Sequence, residues 1–158
     1  MTAWPIIPRT PAENQELVLW ARERLNIDFG LTAHAIGVRN ENEPLAVTVY
    51  NNFKSRPNGT VYMCDASIVS ISPRWCNRSV LRQLFHYPFV ILGVLRLQTI
   101  CEAKNPRIRK FNQHLGFIEE GILREAWDMG GDAVVWSMLP HECKWLRPED
   151  WTDVSSAA

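Results

Sequence analysis

From Pro11 to Leu25 apolar residues return at helical intervals. Leu17, Val18, Trp20, Ala21 and Leu25 make one face and Glu13, Glu16, Arg22, Glu23 and Arg24 the other, which predicts an amphipathic first helix. Before it, Ala3 to Ile7 reads as a short edge strand, held to an edge by Pro5 and Pro8. After it the period drops to two. A-H-A-I-G-V, L-A-V-T-V-Y-N-N-F and T-V-Y-M-C-D-A-S-I-V-S-I are separated by the turn sequences N-E-N-E-P and K-S-R-P-N-G-T, which predicts three strands of an antiparallel meander.

Helical spacing resumes at Val80, Leu81, Leu84 and Phe85, and Pro88 is expected to kink or end that helix, with Pro88 to Leu92 a second short turn. The β-branched run V-L-R-L-Q-T-I-C-E-A predicts a further strand. Ile108, Phe111 and Leu115 then mark a last helix. Asn105 is its N-cap, Pro106 its first residue and Gly116 its left-handed exit. Two strands, Phe117 to Trp127 and Ala133 to Leu139, are expected to be joined by a Gly-Gly turn over Met129 to Asp132. This order predicts one mixed sheet with helices on both faces, in a single domain over residues 1–150, with 151–158 a frayed tail.

With 158 residues, 46% of them hydrophobic and 22% charged, the chain is expected to bury one core without staples. No run approaches the length of a membrane span, and M-T-A-W-P-I-I-P lacks the plan of a signal peptide, so a cytoplasmic protein is expected. The widely spaced Cys64, Cys76, Cys101 and Cys143 indicate neither a zinc site nor a disulfide framework; no metal is expected. Seventeen basic residues match seventeen acidic ones, which excludes a surface that tracks nucleic acid throughout.

The spacing N-x(10)-G-F from Asn105, followed by E-E-G-x-x-R at Glu119 to Arg124, resembles the helix-to-strand segment near the end of GNAT acyltransferases, which move an acyl group from coenzyme A. With E-C-x-W-L at Glu142 to Leu146, the chain looks like small members found in bacteria and phages. The resemblance covers roughly Thr32 to Leu146. It implies a mixed α/β domain whose mostly antiparallel sheet splays at its centre, and N-acetyltransfer from acetyl-CoA to an amine acceptor by direct attack. It leaves room for a homodimer.

Where the family carries Q/R-x-x-G-x-G/A for the pyrophosphate, this chain reads R-W-C-N-R-S. The resemblance assigns Arg74, Asn77, Arg78, Ser79 and Val80 to the phosphates at a helix start, with Arg82 as further charge. It assigns Asn105 to the cofactor as well, and the backbone of Val69, Ser70 and Ile71 to the thioester carbonyl; the basic set Lys104, Arg107, Arg109 and Lys110 reads as a hold on the ribose phosphate of coenzyme A, as a contact to a nucleic acid backbone, or as solvated helix charge. The family's frequent general acid is a Tyr seven residues after the capping Asn, and Asn112 stands there. An amide gives up no proton, so the thiolate leaves unassisted or through water, or Tyr62, Ser67 or Ser70 acts. Asp65 is the first choice for general base and Glu102 the second, each weighed against a solvated or paired strand carboxylate. His34 reads as structural. Trp20 and Trp136 are expected in the core, and Trp75 is the tryptophan with a candidate functional place.

Two rival functions remain from the residues alone. The missing Tyr and altered loop favour a GNAT-fold binding module without catalysis. The arginines at 74, 78, 82, 107 and 109 favour an acyltransferase acting on nucleic acid or an aminoacyl group.

Overall fold

The computed structural model describes residues 2–41 and 43–152. Seven strands form one sheet in the order β1-β2-β3-β4-β5-β7-β6: β1 Trp4–Ile6, β2 His34–Arg39, β3 Pro44–Ser55, β4 Val61–Ser70, β5 Arg96–Glu102, β6 Ile118–Leu123 and β7 Ala133–Met138. Every neighbouring pair is antiparallel except β4 and β5, which run parallel. The expected edge strand, meander and terminal hairpin are all present. Asn42, inside the expected turn N-E-N-E-P, lies outside the described residues; beside it the backbones of Asn40 and Glu43 bond to each other at 3.1 Å.

Strand alternation sorts the core onto two faces. Ala35, Val47 and Val49 meet helix α1 (Pro11–Leu25) through Val18 and Ala21 on one face. Ile36, Val38, Tyr50, Cys64 and Leu97 share the other with helices α2 (Arg78–His86) and α3 (Pro106–Leu115), which contribute Leu81, Leu84 and Leu115. Thr10 caps α1 by accepting from the Glu13 amide at 3.2 Å. The Asn14 side chain ties α1 to the start of β2, donating to the Ala33 carbonyl at 2.9 Å and accepting from the Ala35 amide at 2.8 Å. Gly37 permits the close approach of the helix, since a Cβ there would stand 2.8 Å from a methyl of Leu17.

The caps of α3 are those the sequence predicts. Asn105 accepts from Ile108 at 3.1 Å, and Gly116 leaves at φ 104°. α2 ends at His86, and the chain widens through Pro88 into a π-helical turn over Tyr87–Ile91.

Two expectations are corrected. The last hairpin does not turn at Gly130 and Gly131 alone: β6 stops at Leu123 and a nine-residue loop follows, with Glu125 and Met129 in left-handed conformation. That loop is held by the Asp132 carboxylate, which accepts from the Glu125 amide at 2.9 Å. The chain beyond Asp150 is not frayed at its start either. Trp151 closes a 3₁₀ turn over Pro148–Trp151 and sets its ring 6.4 Å from that of Phe89; residues 153–158 lie outside the described residues. No helix among the described residues is long and apolar enough to cross a membrane.

Candidate functional site

β4 and β5 pair only over Met63–Arg96, Cys64–Leu97 and Asp65–Gln98. Beyond Asp65 the two strands part, while β4 stays paired to β3 as far as Ala46–Ser70. A V therefore opens in the sheet with Asp65 and Gln98 at its apex. The Ile71 amide donates to Leu45 across the β3 ladder at 2.9 Å. Hydrogen-bonded pairs alternate along an antiparallel ladder, so the amides of Val69 and Ser67 also turn to β3, and those of Ile68 and Ser70 turn into the V. Of the three backbone positions named for the carbonyl, Ser70 faces the opening. Val69 and Ile71 commit their N–H groups to β3, which does not fit the direct role expected of them, and the Ile68 N–H shares the orientation of Ser70. The parity follows from tertiary register and has no sequence signal.

The start of α2 lies beside a cavity of about 270 Å³ lined by Arg78, Ser79, Arg82, Trp145 and Arg147. Asn77 caps the helix, its side chain accepting from Val80 at 3.0 Å and its carbonyl from Leu81 at 3.0 Å. A helix start leaves its first N–H groups unpaired; here those of Arg78 and Ser79 remain for a ligand, whereas that of Val80 is taken by the cap. The Asn77 amide also donates to the Ala3 carbonyl at 3.1 Å. Arg82 is fastened bidentately to Asp150, with the shortest contact 2.6 Å, and its hydrogen bonds hold the Asp150 carboxyl below the usual range. Arg147 lies 3.8 Å from Glu149. Arg78 donates to the Lys144 carbonyl at 3.4 Å and stands 5.9 Å from the Trp145 ring. It is the cation of this group with no carboxylate beside it among the described residues. Two N–H groups with an unmatched guanidinium fit the phosphates of coenzyme A. Arg74 is exposed on the preceding 3₁₀ turn and does not line the cavity. Trp145 and Arg147, which do, carried no signal for this place in the sequence.

No protein-family model matches the chain, and no curated protein matches it. Solved structures do. A chimera of spermidine N-acetyltransferase SpeG from Vibrio cholerae and hSSAT superposes with a TM-score of 0.65 at 13% identity, covering 93% of this chain and 100% of the other. RimJ of Mycobacterium smegmatis in complex with CoA-disulfide gives 0.61 at 15% identity, covering 93% and 68%. The fold is that of the GNAT acetyltransferases.

Within the GNAT fold the second helix start differs from the first. Arg109 is spent on Glu119, both contacts at 3.0 Å, and on the Ala103 carbonyl at 3.3 Å. Asn105 uses its oxygen as the cap, and Glu102 accepts from the Asn105 amide at 3.2 Å through its own carbonyl. Alternation sets the Glu102 side chain on the same face of β5 as Gln98. Asn112, in the position of the Tyr that the resemblance leads one to expect, is buried, and its amide nitrogen has no partner at hydrogen-bond geometry among the described residues.

Trp75 is 3% exposed, with its ring 6.0 Å from that of Phe111. Because Trp75 follows β4 and Phe111 follows β5, that contact spans the mouth of the V, and Trp75 is a core residue rather than an exposed stacking platform. Trp136 is buried as expected, whereas Trp20 is half-buried under the Arg24 guanidinium at 3.8 Å. His34 stacks on Tyr87 at 4.2 Å, and burial lowers its pKa, which fits a packing role.

Proposed function

We propose that the chain is an N-acyltransferase carrying an acetyl group from acetyl coenzyme A to a primary amine by direct attack in a ternary complex. One observation carries this reading: the β4–β5 ladder ends at Asp65–Gln98, which sets a carboxylate at the apex of the opening. When bound, acetyl coenzyme A supplies the acyl group as a thioester. The residues that would hold it are Arg78 and the N–H groups of Arg78 and Ser79 for its phosphates, with Arg147 adding charge. Asn105 beside the V is a further candidate. The N–H groups of Ile68 and Ser70 would donate to the carbonyl oxygen as it gains charge. Asp65 would take a proton from the acceptor ammonium, with Glu102 the second candidate. The hydroxyls of Tyr62, Ser67 and Ser70 on β4 are the candidates to pass a proton to the departing sulfur, since Asn112 is buried and gives up none.

The Trp75–Phe111 contact favours a second reading, a GNAT-fold module that binds coenzyme A without turnover. A screen of amines against acetyl-CoA with mass detection separates the two. A product 42 mass units (~42) heavier than one amine, formed at a rate that Asp65→Asn lowers, supports the enzyme. Thermal stabilisation by coenzyme A with no acetylated product supports the module.

A further inference from the structure

Six polar side chains from five strands form one connected set across the open sheet. Both oxygens of Asp65 are held: the Asn52 amide donates to Oδ2 at 2.8 Å and the Gln98 amide to Oδ1 at 3.1 Å. The orientation of Gln98 is not free, because its oxygen accepts from Arg96 at 3.0 Å, so its nitrogen must face Asp65. Arg96 is held in turn by Glu120, bidentately at 2.8 and 2.9 Å. Ser137, on β7, donates to the same carboxylate.

Two members of the set sit at irregularities of the ladder. Asn52 lies where β3 shifts register between Asn51 and Lys54, in left-handed backbone at φ 53°. Glu120 lies where β6 shifts between Glu119 and Gly121. A bulge re-aims a side chain out of the regular alternation; here one aims Asn52 at the Asp65 carboxylate and the other aims Glu120 at Arg96, which holds Gln98 against that carboxylate. A strand carboxylate with no task needs only water.

We propose that Asn52 and Gln98 are positioning residues for Asp65, and that Arg96 and Glu120 fix Gln98 as a donor, so that the carboxylate keeps one orientation toward the acceptor amine. This rests on Asp65 as the base. Two amide donors hold the carboxylate plane without supplying a full charge. The oxygens keep lone pairs for the acceptor, and a reacting group displaced by about 1 Å loses up to a hundredfold in rate.

The test uses the whole chain with acetyl-CoA and with spermidine as the amine probe, reading thiol release. Nuclear magnetic resonance of the side-chain amides runs beside it. Expected are a fall in kcat of about tenfold for Gln98→Leu and about threefold for Glu120→Gln, with the KM for acetyl-CoA within about twofold of the parent. The Asn52 and Gln98 amide resonances should move together in Asp65→Ala, and that of Asn52 should also move in Gln98→Leu. Parent kcat in both Gln98→Leu and Glu120→Gln, while Asp65→Asn loses its rate, overturns the positioning role and leaves the base standing. An Asp65→Asn variant as fast as the parent, or a parent that releases no thiol with spermidine or with any other amine of the screen, overturns the reading on which the role rests.

Discussion

The two helix starts that flank the opening are built from the same residue and differ in what they leave free. Asn77 and Asn105 each cap a helix by accepting from the third residue on, at 3.0 and 3.1 Å. At α2 the N–H groups of Arg78 and Ser79 remain, and Arg78 has no carboxylate partner among the described residues. At α3 Pro106 has no N–H to offer, and Arg109 is bound to Glu119. A helix N-terminus attracts an anion through the donors its caps leave unpaired; α2 leaves two in succession beside Arg78 whereas Pro106 removes one at α3, so we propose the phosphates at α2 and a positioning part for α3.

The ion pairs beside the two starts give the largest expected contrast. Asp150 is 4% exposed and also accepts from the Arg147 amide at 2.7 Å. Asp150→Ala should therefore cost about 2 kcal/mol in denaturant unfolding, below the full buried-pair value because Arg82 keeps 30% of its side chain in solvent. Glu119→Ala, with both partners 38% exposed, should cost less than about 1 kcal/mol. Equal losses would erase the distinction.

Removing the caps sharpens the comparison further. Asn77→Ala and Asn105→Ala should each lower stability by about 1 kcal/mol, but only Asn77→Ala, which also frees Ala3, should weaken coenzyme A binding strongly. A parallel loss of affinity in Asn105→Ala would return α3 to the phosphate site.

Acid gives the smallest effect. Glu120 is lowered from 4.5 to about 2, first by its hydrogen bonds from Arg96 and then by Ser137. A depressed carboxylate contributes stability that is present above its unfolded value and lost as pH falls through the folded one. The advantage of the parent over Glu120→Gln should hold at pH 6 and fade between about pH 4.5 and 2. Because Glu120 is 40% exposed, added salt should shrink it as well. An advantage that grows on acidification would contradict the pairing.

The caps, the order of elements and the sheet were legible because each rests on local rules: Asn before Pro, Gly after Leu115, period two against period 3.6. The phosphate-loop residues were legible through resemblance, but which of their amides stay free was not. That depends on Asn77 spending its oxygen on Val80. Trp145 and Arg147 come to the cavity from a segment distant in sequence, whose contacts Arg78–Lys144 and Arg82–Asp150 span 66 and 68 positions, and no spacing rule links such segments. Asn52 and Glu120 were missed for a related reason. A bulge inverts the face that alternation assigns, so period-two reading places such side chains wrongly.

Calorimetric titration of coenzyme A into the parent, Arg78→Ala and Arg109→Ala tests the central claim most directly. One equivalent should bind to the parent, Arg78→Ala should bind about tenfold or more weakly through loss of a charge-assisted contact worth roughly 1.5–3 kcal/mol, and Arg109→Ala should stay within about twofold. No binding heat from the parent at millimolar ligand, or a larger loss in Arg109→Ala than in Arg78→Ala, would contradict it.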